Sequence, residues 1–171
     1  MTEISHKNLD SEKNFREFIG TEPKVLTFLH NTNDEEIAKK ILIEGFEFEN
    51  YLDHTTDLIS GNDAIELRYF KIKRGRYGNY TIVIQISRKL IDHYCLRLKN
   101  THNHYSEVLT KIPPKKLIDR ELIYTLPENF IKGYFNQETK TGIFNHKFDP
   151  FKDIPVFEEN VEKLLGKINN P

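Results

Sequence analysis

The pattern of this chain predicts an α+β fold, and three observations carry the prediction. Runs of β-branched and aromatic residues of strand length fill its middle, amphipathic helical patterns stand near both ends, and short clusters of turn residues separate them. With 171 residues the chain suits one domain. About 70% of the unfolded surface is buried at such a length, without help from disulfides or metal. No internal repeat or low-complexity segment divides residues 1–171. Within that single domain we distinguish an N-terminal helical extension over 1–23, a core over 24–135, and a C-terminal extension with a terminal helix over 136–171.

Taken in order, Ser11 caps a short helix carrying Phe15, Phe18 and Ile19, which Gly20 ends. Lys24 to His30 is mostly apolar and of buried-strand length. The next helix is the best marked: Asn33 as N-cap, Glu36 closing a capping box, and Asp34, Glu35 and Glu36 on the first turn, where the helix dipole favours acids. Its apolar face is Ile37, Ile41 and Leu42, its polar face Lys39 and Lys40, and Gly45 suits the C′ position. Phe46 and Phe48 alternate with acids as a short strand, Asn50 to Asp63 reads as a long loop, and Ile65 to Lys73 as a strand. The tight segment Arg74 to Asn79 then leads to the strongest strand, Thr81 to Ser87, and to a helical stretch over Arg88 to Tyr94. Glu107 to Lys111 is read as a strand stopped by Pro113 and Pro114, Lys116 to Ile118 as a short helix or turn, and Glu121 to Tyr124 as a strand. Glu128 to Phe135 has Phe130, Ile131 and Tyr134 at helical spacing, and Phe157, Val161, Leu164, Leu165 and Ile168 mark a terminal helix. Asn136 to Pro155 is left as a lid, a target-recognition segment or a packed extension.

Composition narrows the function. The 25 basic and 26 acidic residues nearly cancel, so any basic site is local. One cysteine, Cys95, makes neither an internal disulfide nor a thiolate zinc site and is read as a packing residue. The opening residues lack the apolar run of a signal peptide and no stretch approaches about 20 apolar residues. A cytoplasmic protein with no membrane partner is expected.

Four segments bear residues with chemistry. His30-Asn31-Thr32 ends a strand just ahead of a capped helix, where backbone N–H groups collect ligands. Arg68, Lys71, Lys73, Arg74 and Arg76 are interleaved with Tyr69, Phe70, Tyr77 and Tyr80, a pairing of cations and rings that suits phosphates and stacked bases and equally a solvated hairpin. His93, His102 and His104 lack carboxylates or thiolates at a ligand spacing, so no metal site is expected. Glu107 opens an apolar run, where a charge is costly unless it meets a cleft or a partner.

In this order, these residues resemble the ADP-ribosyltransferase superfamily, and among its members the DNA-targeting toxins. The matching segments are Leu29-His30-Asn31-Thr32, Ile41 to Phe46, and Ser106-Glu107-Val108-Leu109 followed by Ile112 to Ile118. The resemblance implies a split mixed or antiparallel sheet with flanking helices, and residues 24–135 as the nucleotide-binding core. It implies NAD as substrate, transfer of ADP-ribose to a nucleic-acid or protein acceptor, and a role as toxin or defence effector. His30, supported by Thr32, holds the nicotinamide-side ribose. In the family a glutamate opening a later strand stabilises the charge that develops on that sugar. Here the resemblance assigns that part to Glu107, a ring among Tyr69, Tyr77 and Tyr80 to nicotinamide, and Arg74 and Arg76 to the pyrophosphate or a nucleic-acid target. Asn31 stands where the family commonly has glycine, and Tyr105 where arginine-modifying members carry a second acid. Two alternatives share the fold: a non-catalytic nucleotide- or nucleic-acid-binding module, and an RNA 2′-phosphotransferase-like enzyme.

Overall fold

The computed structural model describes residues 5–20, 24–59, 68–71, 78–99 and 105–169. It is an α+β arrangement of two antiparallel sheets with helices packed on them. The elements are β1 (Ser5–Asn8), α1 (Glu12–Ile19), β2 (Val25–Thr32), α2 (Glu35–Glu44), β3 (Phe46–Glu49), β4 (Asp57–Leu58), β5 (Tyr80–Ser87), α3 (Arg88–Arg97), α4 (Tyr105–Lys111), β6 (Lys115–Ile118), β7 (Glu121–Leu126), β8 (Ile131–Asn136), β9 (Thr141–Phe144) and α5 (Pro155–Asn169). The large sheet has the order β1-β9-β8-β5-β2-β4 and the small one β3-β7-β6.

The large sheet is buried on both faces, and strand alternation sorts its side chains. Leu26, Phe28, Ile82, Ile84, Ile86 and Tyr134 enter one core with residues of α2, α3 and α5. Leu29, Val83 and Phe135 point the other way, to Phe15, Phe18 and Ile19 of α1. Strands covered on both sides read as continuous apolar runs, which is why β5 is so plain in the sequence. The small sheet is covered on one side only, so Phe46 and Phe48 are buried while Glu47 and Glu49 are exposed.

Local signals hold where a cap or a turn dictates them. Ser11 accepts from the Asn14 N–H, and Gly20 takes φ 60°, ψ 69° to end α1. The α2 cap falls one residue later than expected: Asp34, not Asn33, accepts from the Glu36 N–H. Gly45 follows α2 at φ 93°, and a Cβ there would lie 2.2 Å from the Leu126 carbonyl oxygen. Gly45→Ala is therefore expected to cost on the order of 1–3 kcal/mol, read as a lower midpoint in urea.

Three expected elements are overturned outright and a fourth in its described part. Residues 105–111 form a helix rather than a strand, because Tyr105, Val108, Leu109 and Ile112 recur at helical spacing and turn one face to the core. Lys115–Ile118 is a strand, returned to β7 by a turn whose two residues, Asp119 and Arg120, both have positive φ. That turn type usually announces itself by glycine or asparagine, absent here. Ile131–Asn136 is a strand after a 3-10 turn at Glu128–Phe130, not a helix. Lying between β5 and β9, it is buried on both faces and shows no alternation to read. Of the strand expected over 65–73, residues 68–71 are helical and the rest lie outside the described residues. β1 and β9, from the two extensions, pair with each other and complete the large sheet. Among the described residues no helix is long and apolar enough to cross a membrane.

Candidate functional site

His30 lies near the end of β2, with its ring 4.8 Å from that of Phe46, the first residue of β3. One imidazole nitrogen, Nδ1, is 2.8 Å from the Thr55 carbonyl oxygen. As that oxygen only accepts, Nδ1 carries the proton in the neutral ring and Nε2 keeps its lone pair. The ring opens on a cleft of about 280 Å³ lined by Ile37, Lys40, Ile41 and Glu44 of α2, then Gly45, Phe46, Glu47 and Thr55. Such a volume suits a nucleoside-sized group rather than a whole dinucleotide.

Asn31, next to His30, points to the opposite face of β2, as strand alternation requires. It accepts from Thr81 Oγ1 at 2.6 Å and from Gln137 Nε2 at 3.3 Å, and donates to the Tyr69 hydroxyl at 3.2 Å. It therefore braces the strand and does not crowd the cleft. Tyr69 is 4% exposed and donates to Asp57 at 2.6 Å. Burial, then the hydrogen bond to Asp57, pushes its phenol up to about 12. Locked in this way, Tyr69 offers no face for a nicotinamide ring, which corrects that assignment. Thr32 accepts from the Asp34 N–H at 3.3 Å and so serves the start of α2. Tyr80 is half-buried and packs edge-on against Tyr134. Arg74, Arg76 and Tyr77 lie outside the described residues, as do His102 and His104.

The structure places the two residues on which the sequence reading turned in different, neighbouring clefts, lined by His54 and by Thr55. Glu107 sits in the first turn of α4, ion-paired with Lys111 four residues on. Its cleft, about 450 Å³, is lined by Tyr51, Asp53, His54 and Ser106 and shares no lining residue with that of His30. The assignment of Glu107 as an acid opening a strand is therefore corrected.

Another acid does open a strand. Glu121 is the first residue of β7 and lines a cleft of about 300 Å³ with Glu49, Asn50, Arg120, Leu122 and Tyr124. A side-chain hydrogen bond with Glu121, and then the repulsion of its charge, raises the Glu49 carboxyl above its usual range, since two adjacent carboxylates that share a proton resist ionising together. The folded state thus holds a proton more tightly than the unfolded one. This favours folding at acid pH and is lost as pH rises through the raised value. Glu49→Gln is expected to raise Tm at pH 7, with the difference from wild type vanishing below the ordinary carboxylate value of about 4.3.

β3 borders both this cleft and that of His30, through Phe46 and Glu47 at one end and Glu49 at the other. From Phe46 to Glu49 is a rise of about 10 Å. Glu121 opens the acid-led apolar run Glu121 to Leu126, the same sequence pattern that was matched at Glu107.

Fold and site together define the class: an α+β protein of two antiparallel sheets with a tautomer-fixed histidine between β2 and β3. Beyond that class, no protein-family model, curated protein or solved structure matches the chain. Among the described residues, no group of three or more His, Cys, Asp or Glu is placed to hold a metal ion.

Proposed function

We propose that this chain is an NAD-dependent ADP-ribosyltransferase, with His30 as the residue that holds the nicotinamide-side ribose. The observation that carries the reading is His30 itself, its ring fixed by Thr55 and Phe46 with Nε2 left for a ligand hydroxyl. The division into two antiparallel sheets agrees with the split arrangement that the family resemblance implies. The strand-opening glutamate of that resemblance is not met at Glu107, which lies in a helix, and Glu121, which opens β7, lines a cleft apart from that of His30.

In the reaction the bond between nicotinamide and ribose breaks, and nicotinamide leaves with the electron pair. The acceptor's nucleophilic atom then bonds the same sugar carbon and gives up its proton. Positive charge grows on the sugar only as that first bond breaks, so a carboxylate close to it binds the transition state better than the ground state. A second reading, NAD binding without turnover, is favoured by the separate clefts of His30 and Glu107.

The test is incubation of the full chain with nicotinamide-labelled NAD, alone and with oligonucleotide or protein acceptors, beside calorimetric titration with NAD. Nicotinamide release that depends on His30 supports transfer. Binding that weakens in His30→Ala, with no release under any condition, leaves the module reading. Absence of both overturns the proposal.

A further inference from the structure

The outer edge of the small sheet has no part in the reading above. β6 ends the order β3-β7-β6, and all four of its residues are exposed. Its hydrogen-bond parity is fixed at both ends. The Thr125 N–H donates to the Pro114 carbonyl at 3.0 Å, and Ile118 is paired with Glu121 across the turn. Residues 114, 116 and 118 therefore turn their backbone groups toward β7, while Lys115 and Leu117 present N–H and C=O outward.

The side chains are as unusual as the edge. Leu117 and Leu122, partners in register, are 71% and 44% exposed. Lys116 is ion-paired with Glu47 and Lys111 with Glu107, but among the described residues Lys115 and Lys167 make no ion pair. Lys115 Nζ stands 5.4 Å over the Tyr124 ring. Burial there lowers the Lys115 ammonium below its usual range, and Lys167 and Lys111 lower it further, so these cations feel one another.

We infer that β6 is a docking edge for an extended acidic segment of a partner protein, added to the small sheet as a fourth strand. Strand addition satisfies the outward N–H and C=O groups, and side chains two apart on one face of the incoming strand reach both the leucine pair and the unpaired cations. A second copy of this chain would set lysine against lysine, the arrangement by which edge lysines prevent self-pairing. A polyanion without a peptide backbone would use the cations alone. The inference does not depend on the NAD reading.

Fluorescence anisotropy of a labelled Thr–Glu–Thr–Val–Thr–Glu–Thr heptapeptide, whose glutamates and valine share one face, titrated with the full chain, tests it. Saturable binding is expected, weakened at least tenfold in the Lys115→Glu, Lys167→Glu double variant. Equal weakening is expected when alternate peptide nitrogens are methylated. Leu117→Pro, which removes one outward N–H, should act in the same direction, with unfolding curves showing that both variants fold. Absence of binding overturns the inference, and so does equal binding by the same heptapeptide with lysines in place of its glutamates or indifference to methylation. Tighter, equally variant-sensitive binding of a ten-nucleotide oligothymidine also overturns it, in favour of a nucleic-acid surface.

Discussion

His30→Ala is expected to slow nicotinamide release from NAD by about 10²–10³-fold, the usual cost of removing one hydrogen-bonding group aimed at the reacting centre. The imidazole binds the sugar before and during bond breaking, so KM should rise as kcat falls. Glu107→Gln is the matched control. Its carboxylate is ion-paired with Lys111 in a cleft that His30 does not line, so turnover should stay within about twofold of wild type. A loss in Glu107→Gln as large as that in His30→Ala, with NAD binding unchanged, would restore the acid first read from the sequence.

The second large effect is on stability. Phe28 is fully buried in β2, with Leu26 and Ile84 in the same core and its ring centre 6.0 Å from that of Tyr105. Phe28→Ala is expected to cost about 3–5 kcal/mol, the transfer term plus the cavity. That is a large share of the roughly 5–15 kcal/mol that holds most domains folded. Because Tyr105 belongs to α4, the loss should also loosen that helix, visible as faster amide exchange there than in β8. Leu96→Ala is the contrast. That leucine is 81% exposed on α3, and its removal should stay within about 0.5 kcal/mol. Urea midpoints at unchanged slope decide both values.

Much of the fold was legible where local chemistry had one solution. Ser11 and Gly20 bracket α1, the acids at Asp34 to Glu36 start α2, and the alternation of Phe46 to Glu49 makes a one-sided strand. Apolar runs with two solutions were not legible. Residues 105–112 and 130–135 both carry apolar side chains at spacings that a helix or a doubly buried strand satisfies. The first became a helix by turning one face to the core, and the second a strand because β5 and β9 flank it.

The site divides in the same way. The chain by itself determined that a histidine ends a strand ahead of a capped helix, since caps and strand ends are written within a few residues. The tertiary structure alone decided what surrounds that histidine, because its neighbours come from far along the chain. Thr55 fixes its tautomer, Phe46 backs its ring, and Glu44 and Glu47 line its cleft while Glu107 lines another. Packing between distant segments, not the spacing of a motif, chooses which side chains surround the histidine.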